Sequence, residues 1–257
     1  MAEPRTISSK DNPLLVRVRK LLADPGGYRK LGEVWLEGEH LCAAFVQRGG
    51  RPLQAIVSAE GWPQPALREL AGHAAAVAVV PDELMAALST LESPPAIGFV
   101  VATPTAPAIT PDAPSLVLDR LQDAGNVGTI LRSAAAFGFT QVVALKGTAA
   151  LWSPKVLRAG MGAHFALRLV EGLDAADIDM LAVPLLATSS HQGDWLHRAE
   201  LPWPCGWIMG HEGQGVSGAL QQRASRHIRI AQPGGEESLN VAAAAAVCLH
   251  ASAAGRG

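Results

Sequence analysis

Three glycine-containing segments of this 257-residue chain carry the side chains best suited to chemistry. In LDRLQDAGNVGTILRSAAAFG, residues 118–138, an apolar run enters a tight turn. Val127, Ile130, Leu131, Ala134 and Ala135 then follow the i, i+3, i+4, i+7, i+8 spacing of a helix packed on a sheet. Asn126 is placed to cap that helix, and Arg132 falls off its apolar stripe. Because a helical Cβ tilts toward the helix N-terminus, the Arg132 guanidinium can reach back to the turn at the strand end. Only Gly125 and Gly128 occur, spaced GxxG with no Walker lysine behind them, which excludes both the dinucleotide fingerprint and the P-loop.

The second segment is WIMGHEGQGVS, residues 207–217. A hydrophobic strand ends at Gly210, and Glu212 follows with glycines at 213 and 215, so the backbone can approach a ligand closely and the carboxylate sits at the strand crest. The third is HIRIAQPGGEESLNVAAAAAVCLH, residues 227–250, read as strand, turn and helix. Ser238 is an acceptable N-cap, which places Asn240 in the first turn. From Val241 to Leu249 this helix has no charge, so it is expected to be buried almost all round, between the sheet and a further surface such as a second subunit.

The surrounding pattern says what holds these segments. After residue 114, apolar runs at 115–119, 141–145, 183–188, 206–210 and 227–231 alternate with loops and helices, the signature of a parallel sheet covered on both faces. Before residue 103, runs at 33–37, 53–58, 76–80 and 96–102 alternate with helical stretches, which suggests a smaller α/β domain. Between them ATPTAPAITPDAP carries four prolines in thirteen residues and excludes helix. The expected division is therefore 1–103, a linker at 104–114, and 115–257.

Composition narrows the class further. Hydrophobic content of 49% against 17% charged excludes disorder, and no run of eighteen apolar residues is uninterrupted. The polar start MAEPRTISSKDNP has no apolar signal core, so a cytoplasmic protein is expected, without a membrane partner. Cys42, Cys205 and Cys248 lie far apart and the eight histidines show no ligand spacing, so no metal is expected. A net charge of −2 gives no general sign of nucleic-acid binding, so any such contact must be local. Residues 1–30 hold seven basic side chains against three acidic, and Arg17, Arg19 and Lys20 are the candidates there. Lys155 and Arg158, in a helix expected to be capped by Ser153 with Pro154 at its first position, are two more.

Taken together, N-V-G-T-I-L-R, G-x-E-G-x-G and S-L-N-V, in that order, resemble the signature motifs of the SpoU/TrmH family of RNA methyltransferases. The resemblance covers the C-terminal domain strongly. SSKDNPLLVRVRKLL followed by EVWLEGEHL looks, more weakly, like the ribosomal-protein-like substrate-binding domain that many members carry. It implies a trefoil-knotted parallel-sheet methyltransferase domain, S-adenosylmethionine as cofactor, a homodimer formed through the C-terminal domain, and methylation of a ribose 2′-hydroxyl in structured RNA, ribosomal RNA being favoured over tRNA. Carried over residue by residue, the donor site falls on Thr188, Gly210, Ile230 and Leu239, and the functional polar residues on Asn126, Arg132, Glu212, Ser238 and Asn240. His211 stands where the family often has Asn, Ser or Ala, Ala231 where proline is common, and Ala242 where serine is frequent.

The implied reaction needs alignment, loss of the hydroxyl proton and a dry site. Arg132 is often cast in this family as the activating base, but a guanidinium is effectively always protonated, and neutralising one at pH 7 would cost about 9 kcal/mol. A role in holding phosphate and the developing alkoxide by charge is therefore preferred. Two other readings stand beside this one: a base methyltransferase on the same scaffold, and a non-catalytic RNA-binding or assembly factor. The latter would be expected to have lost Arg132, Glu212 or Asn240, and all are present.

Overall fold

The computed structural model describes residues 3–105, 107–234 and 238–254. They divide into two compact units, one made of the residues through Thr105 together with Trp152–Phe165, the other of the remainder. In chain order the first unit contains β1 (Arg5–Thr6), α1 (Pro13–Ala23), α2 (Gly27–Leu31), β2 (Glu33–Glu37), α3 (Glu39–Gln47), β3 (Gln54–Ser58), α4 (Pro65–Ala71), β4 (Val77–Val80), α5 (Asp82–Ala86) and β5 (Ile97–Ala102). The strands form a mixed sheet in the order β1-β4-β3-β5-β2, with β5 antiparallel to both of its neighbours. Helix α1 begins where the Asn12 side chain accepts from the Leu14 N–H at 3.0 Å and Pro13 supplies a preset φ. Leu15, Val18 and Leu21 form its buried stripe, which leaves the basic residues on the outer face.

The second unit contributes β6 (Ser115–Leu118), α6 (Ala124–Ala136), β7 (Gln141–Leu145), β8 (Arg168–Leu173), β9 (Leu185–Thr188), β10 (Asp194–Trp195), β11 (Gly206–Met209), α8 (Gly218–Arg223), β12 (Arg226–Arg229) and α9 (Val241–Ala254); α7 (Pro154–Gly160) lies in the segment that packs with the first unit. Its seven strands are all parallel, in the order β10-β12-β9-β11-β6-β7-β8. Every residue of β6, β7 and β11 is buried, as the continuous apolar runs require of a sheet covered on both faces. Ile109 belongs to this unit's core, and the Gln141 side chain both donates to and accepts from the Thr110 backbone, at 3.1 and 2.8 Å, so this stretch of the proline-rich segment is packed rather than free.

Several local expectations are corrected. Helix α6 is capped by Asp123, whose carboxylate accepts from the Asn126 N–H at 2.7 Å, so Asn126 lies inside the first turn. Helix α9 begins at Val241, later than Ser238 suggested, and Asn240 is its cap, accepting from the N–H groups of Ala242 and Ala243 at 2.9 and 3.2 Å. Within the single chain Ala242, Ala245, Cys248 and Leu249 of that helix face inward, while Ala243 and Val247 are exposed. Its inner face is fastened by the buried Trp207 indole, which donates to Ser252 Oγ at 2.9 Å. Among the described residues no helix is long and apolar enough to cross a membrane.

Candidate active site

In the parallel sheet, β12, β9, β11 and β6 are consecutive neighbours, so their carboxyl ends deliver four chain segments to one edge. Ligands gather at such edges because the loops diverge there and leave backbone groups unpaired. The segments are Asp119–Asp123 after β6, Ser189–Gly193 after β9, Gly210–Ser217 after β11 and the stretch from Ile230 after β12. A cleft of about 260 Å³ opens among the last three and the start of α9. Thr188, Gly210, Glu212, Ile230, Ser238, Leu239 and Asn240, all expected in the site, line it together with His211, Gln232 and Val241.

The loop after β11 folds back on itself. His211 and Gly215 exchange two backbone hydrogen bonds, at 3.1 and 2.8 Å, with Gly215 at φ +68°. A methyl group on Gly210 would lie 2.1 Å from the Val216 nitrogen, so only glycine permits this closure. The loop is then pinned from below: Asp119, 1% exposed at the end of β6, accepts from the Ser217 N–H at 2.6 Å and from Arg120 Nε at 2.9 Å.

One chain of hydrogen bonds joins the three motifs. Glu212 accepts from the backbone N–H groups of Gln122 and Asp123 at 3.4 and 3.2 Å and from the Asn126 amide at 3.3 Å. Asn126 in turn accepts from the Asn240 amide at 3.0 Å, and Asn240 caps α9. Partial burial pushes the Glu212 carboxyl pKa up, but its own backbone N–H, Asn126 and the two turn N–H groups outweigh this and hold it below the usual range. Capping by Asp123 is what frees the Asn126 side chain for this bridge.

The loop after β9 is held differently. Thr188 Oγ1 donates to the Ile208 carbonyl at 3.1 Å, and Ser189 Oγ accepts from the N–H groups of His191 and Gln192 at 3.2 and 3.1 Å. Arg229 reaches over from β12, donating to the carbonyls of Gly193 and His191 at 3.0 and 3.5 Å while stacking 3.9 Å from the centre of the Trp195 ring. A methyl group on Gly193, at φ +105°, would fall 2.1 Å from the His227 carbonyl oxygen. Asp119, Arg120 and Arg229 were not singled out from sequence; the only available signal was their place at or beside strand ends near glycine-rich turns.

The remaining cations are placed otherwise. Arg132 is exposed on α6, does not line the cleft and, among the described residues, forms no hydrogen bond or ion pair. In the first unit Arg17 pairs with Glu33 at 2.9 Å, Arg19 donates to the Lys10 carbonyl, and Arg158 donates to Glu37 and Thr90 at 3.1 and 2.9 Å. Lys20 and Lys155 are exposed.

A parallel α/β sheet with a glycine-closed cleft at its carboxyl edge, bordered by a fixed carboxylate–amide chain, defines a small-ligand site. The model of the SpoU rRNA Methylase family matches residues 113–250. An uncharacterised tRNA/rRNA methyltransferase of Synechocystis is 31% identical over 262 residues, 95% of this chain and 92% of that protein. The Bacillus subtilis 23S rRNA (guanosine(2553)-2′-O)-methyltransferase is 31% identical over 172 residues, 66% of this chain and 69% of its own length. A crystal structure of an RNA 2′-O ribose methyltransferase superposes with a TM-score of 0.82 at 28% identity, covering 98% of this chain and 99% of that one. A crystal structure of an AdoMet-bound rRNA methyltransferase from Sinorhizobium meliloti shares the fold, with a TM-score of 0.87 at 23% identity over 98% of both chains. The chain belongs to the SpoU rRNA Methylase family.

Proposed function

We propose that this chain is an RNA ribose 2′-O-methyltransferase that takes its methyl group from S-adenosylmethionine, acts on ribosomal RNA and works as a homodimer. The observation that carries the reading is the hydrogen-bond chain Glu212–Asn126–Asn240, which ties the three family motifs together at the cleft. The cleft's chemistry suits the donor. Ile228, Ile230, Leu239 and Val241 offer apolar contact for a purine, and Thr188, Ser189, Ser190, Gln232 and Ser238 offer polar groups for its edge and the ribose. Among the described lining residues Glu212 is the acid and none is a lysine or arginine, and this favours a cationic sulfur.

When bound, S-adenosylmethionine supplies an electrophilic methyl carbon attached to that sulfur. The protein's part is alignment and charge. Glu212, held ionised by its donors, is a poor proton acceptor and a good anchor: it fixes the β6–α6 turn and orients Asn126. His211 Nδ1 accepts from the N–H groups of Gly213 and Gln214 at 3.0 and 3.3 Å, so the neutral ring carries its proton on Nε2 and presents a donor, not a base. With neither group suited to take the 2′-hydroxyl proton, that proton leaves late, to an RNA phosphate oxygen or to water, and Arg132 is assigned to the RNA phosphate and the developing alkoxide, where a free guanidinium acts by charge. Ser238 and Asn240 shape the start of α9 beside the donor. Arg19, Lys20 and Lys155 are the RNA contacts proposed for the first unit, whereas Arg17 and Arg158 have their charge engaged within it.

The homodimer rests on α9. Exposed Ala243 and Val247, the latter 42% exposed, leave an uncharged stripe that a second copy would cover. Val247→Glu should shift the protein toward monomer in sedimentation equilibrium; an unchanged dimer would move the interface elsewhere. The activity is tested by incubating the protein with methyl-labelled donor and with unmodified rRNA or tRNA, then mapping the labelled nucleotide. Label in a ribose of rRNA is expected. Label in tRNA would change the substrate, label on a base would change the acceptor, and donor binding without transfer to either RNA would leave a binding protein. Arg132→Lys at wild-type turnover would rule out a bidentate role for that guanidinium.

A further inference from the structure

Among the described residues two that are not glycine adopt left-handed backbone, Arg120 at φ 60° and Met161 at φ 48°. Met161 is explained by its place as the C-cap of α7, where helices commonly end in that conformation. Arg120 caps nothing. It stands two residues past the end of β6, at the edge where the cleft opens, and a strained residue held at such a point is a reason to look for a function.

Its side chain is held as firmly as its backbone. Nε donates to the buried Asp119 carboxylate at 2.9 Å and Nη1 to Gln214 Oε1 at 3.1 Å, in the loop whose neighbours Glu212 and Gly215 line the cleft. Gly147, itself at φ +91°, leaves room for the aliphatic stem, since a methyl group there would lie 3.3 Å from Arg120 Cγ. These ties use two of the five guanidinium N–H donors and leave three on a side chain that is 36% exposed. A planar cation with free donors and a fixed orientation matches a phosphate.

We propose that Arg120 contacts a backbone phosphate of the substrate RNA beside the nucleotide presented to the cleft. The inference rests on the proposed function above. A purely structural strut would act through the loop carrying Gly210–Gly215 and would therefore be felt in donor binding.

The test compares wild type with Arg120→Gly, Arg120→Gln and Arg120→Lys. It measures thermal stability, donor affinity by calorimetry, binding to deproteinised rRNA over a range of salt, and the KM for unmodified rRNA. Arg120→Gly should be at least as thermostable as wild type, because glycine removes the left-handed strain, and should bind the donor unchanged. Its rRNA affinity should fall about tenfold, and the slope of log affinity against log salt should shrink by about 1. Arg120→Gln should match it in RNA binding, and Arg120→Lys should keep the slope while losing part of the affinity. Wild-type RNA affinity and slope in the Gly and Gln variants would overturn the proposal, as would weakened donor binding with an unmoved slope. A wild-type protein that binds rRNA without methylating it would sink the methyltransferase reading while the salt slopes still decide Arg120; no rRNA binding at all would sink both.

Discussion

The two loops that flank the cleft are built on opposite plans. The one after β11 is closed from within by the His211–Gly215 pair and fastened underneath by a buried carboxylate, Asp119. The one after β9 is fastened from outside, by an arginine that lies across it and stacks on the partly exposed Trp195. A buried acceptor whose partners lose hydration is costly to remove, whereas a solvent-facing clamp can be lost with little damage. The first loop is therefore a fixed wall, joined to Glu212 and the start of α6, and the second is the adjustable side of the same cleft.

What the loops share is a glycine against backbone, and this sets the largest expected effect. Gly210→Ala would place a methyl 2.1 Å from the Val216 nitrogen, and Gly193→Ala would place one 2.1 Å from the His227 carbonyl oxygen. Neither neighbour is a side chain that can swing away. Each variant should lose roughly a hundredfold or more in donor affinity by calorimetry, equivalent to about 3 kcal/mol. If Gly193→Ala is mild while Gly210→Ala is severe, the β9 loop is adjustable even in its backbone and the contrast between the two loops deepens.

Asp119→Ala tests the fixed wall itself. It leaves the Ser217 N–H without its acceptor and Arg120 without its buried partner, and should cost about 2 kcal/mol in denaturant unfolding, with donor affinity falling alongside. Arg229→Ala tests the clamp. It removes two hydrogen bonds and one cation–π contact at a partly exposed site, so donor affinity should fall about fivefold, an equivalent of about 1 kcal/mol, with global stability nearly unchanged. A global loss from Arg229→Ala as large as that from Asp119→Ala would erase the distinction.

Sequence reading reached the two plans unequally. Strands such as EVWLE and QVVAL coincide end to end with β2 and β7, because side chains buried on both faces leave one reading of a short β-rich run. Strand β8 was not expected: it is an edge strand carrying Arg168, Glu171 and Gly172, whose exposed faces break the apolar signal. The motif residues were legible as types at strand ends, but their partners were not. Glu212 meets Asn126 across 86 residues and Asn126 meets Asn240 across 114, and nothing local encodes such meetings. Both helix caps were misplaced for a related reason. Asp123 and Asn126, or Ser238 and Asn240, are each capable of capping; at α6 Asp123 caps and Asn126 serves the site, whereas at α9 Asn240 does both, its oxygen capping the helix and its amide donating to Asn126.

The smallest effect belongs to the carboxylate that joins the fixed wall to α6. Glu212 is exposed, and its hydrogen bonds hold its folded-state pKa below the ordinary value of about 4.3. A carboxyl depressed in this way stabilises the fold at every pH above the unfolded value and loses that contribution as pH falls through the folded one. Glu212→Gln should therefore differ from wild type by a small, constant amount of stability from pH 8 to pH 5, and the difference should close below about pH 4 in a series of urea titrations. Closure between pH 6 and pH 8 would mean that Glu212 exchanges its proton near neutrality. It would then be a candidate base for the 2′-hydroxyl, and the wall would be part of the proton path as well as its scaffold.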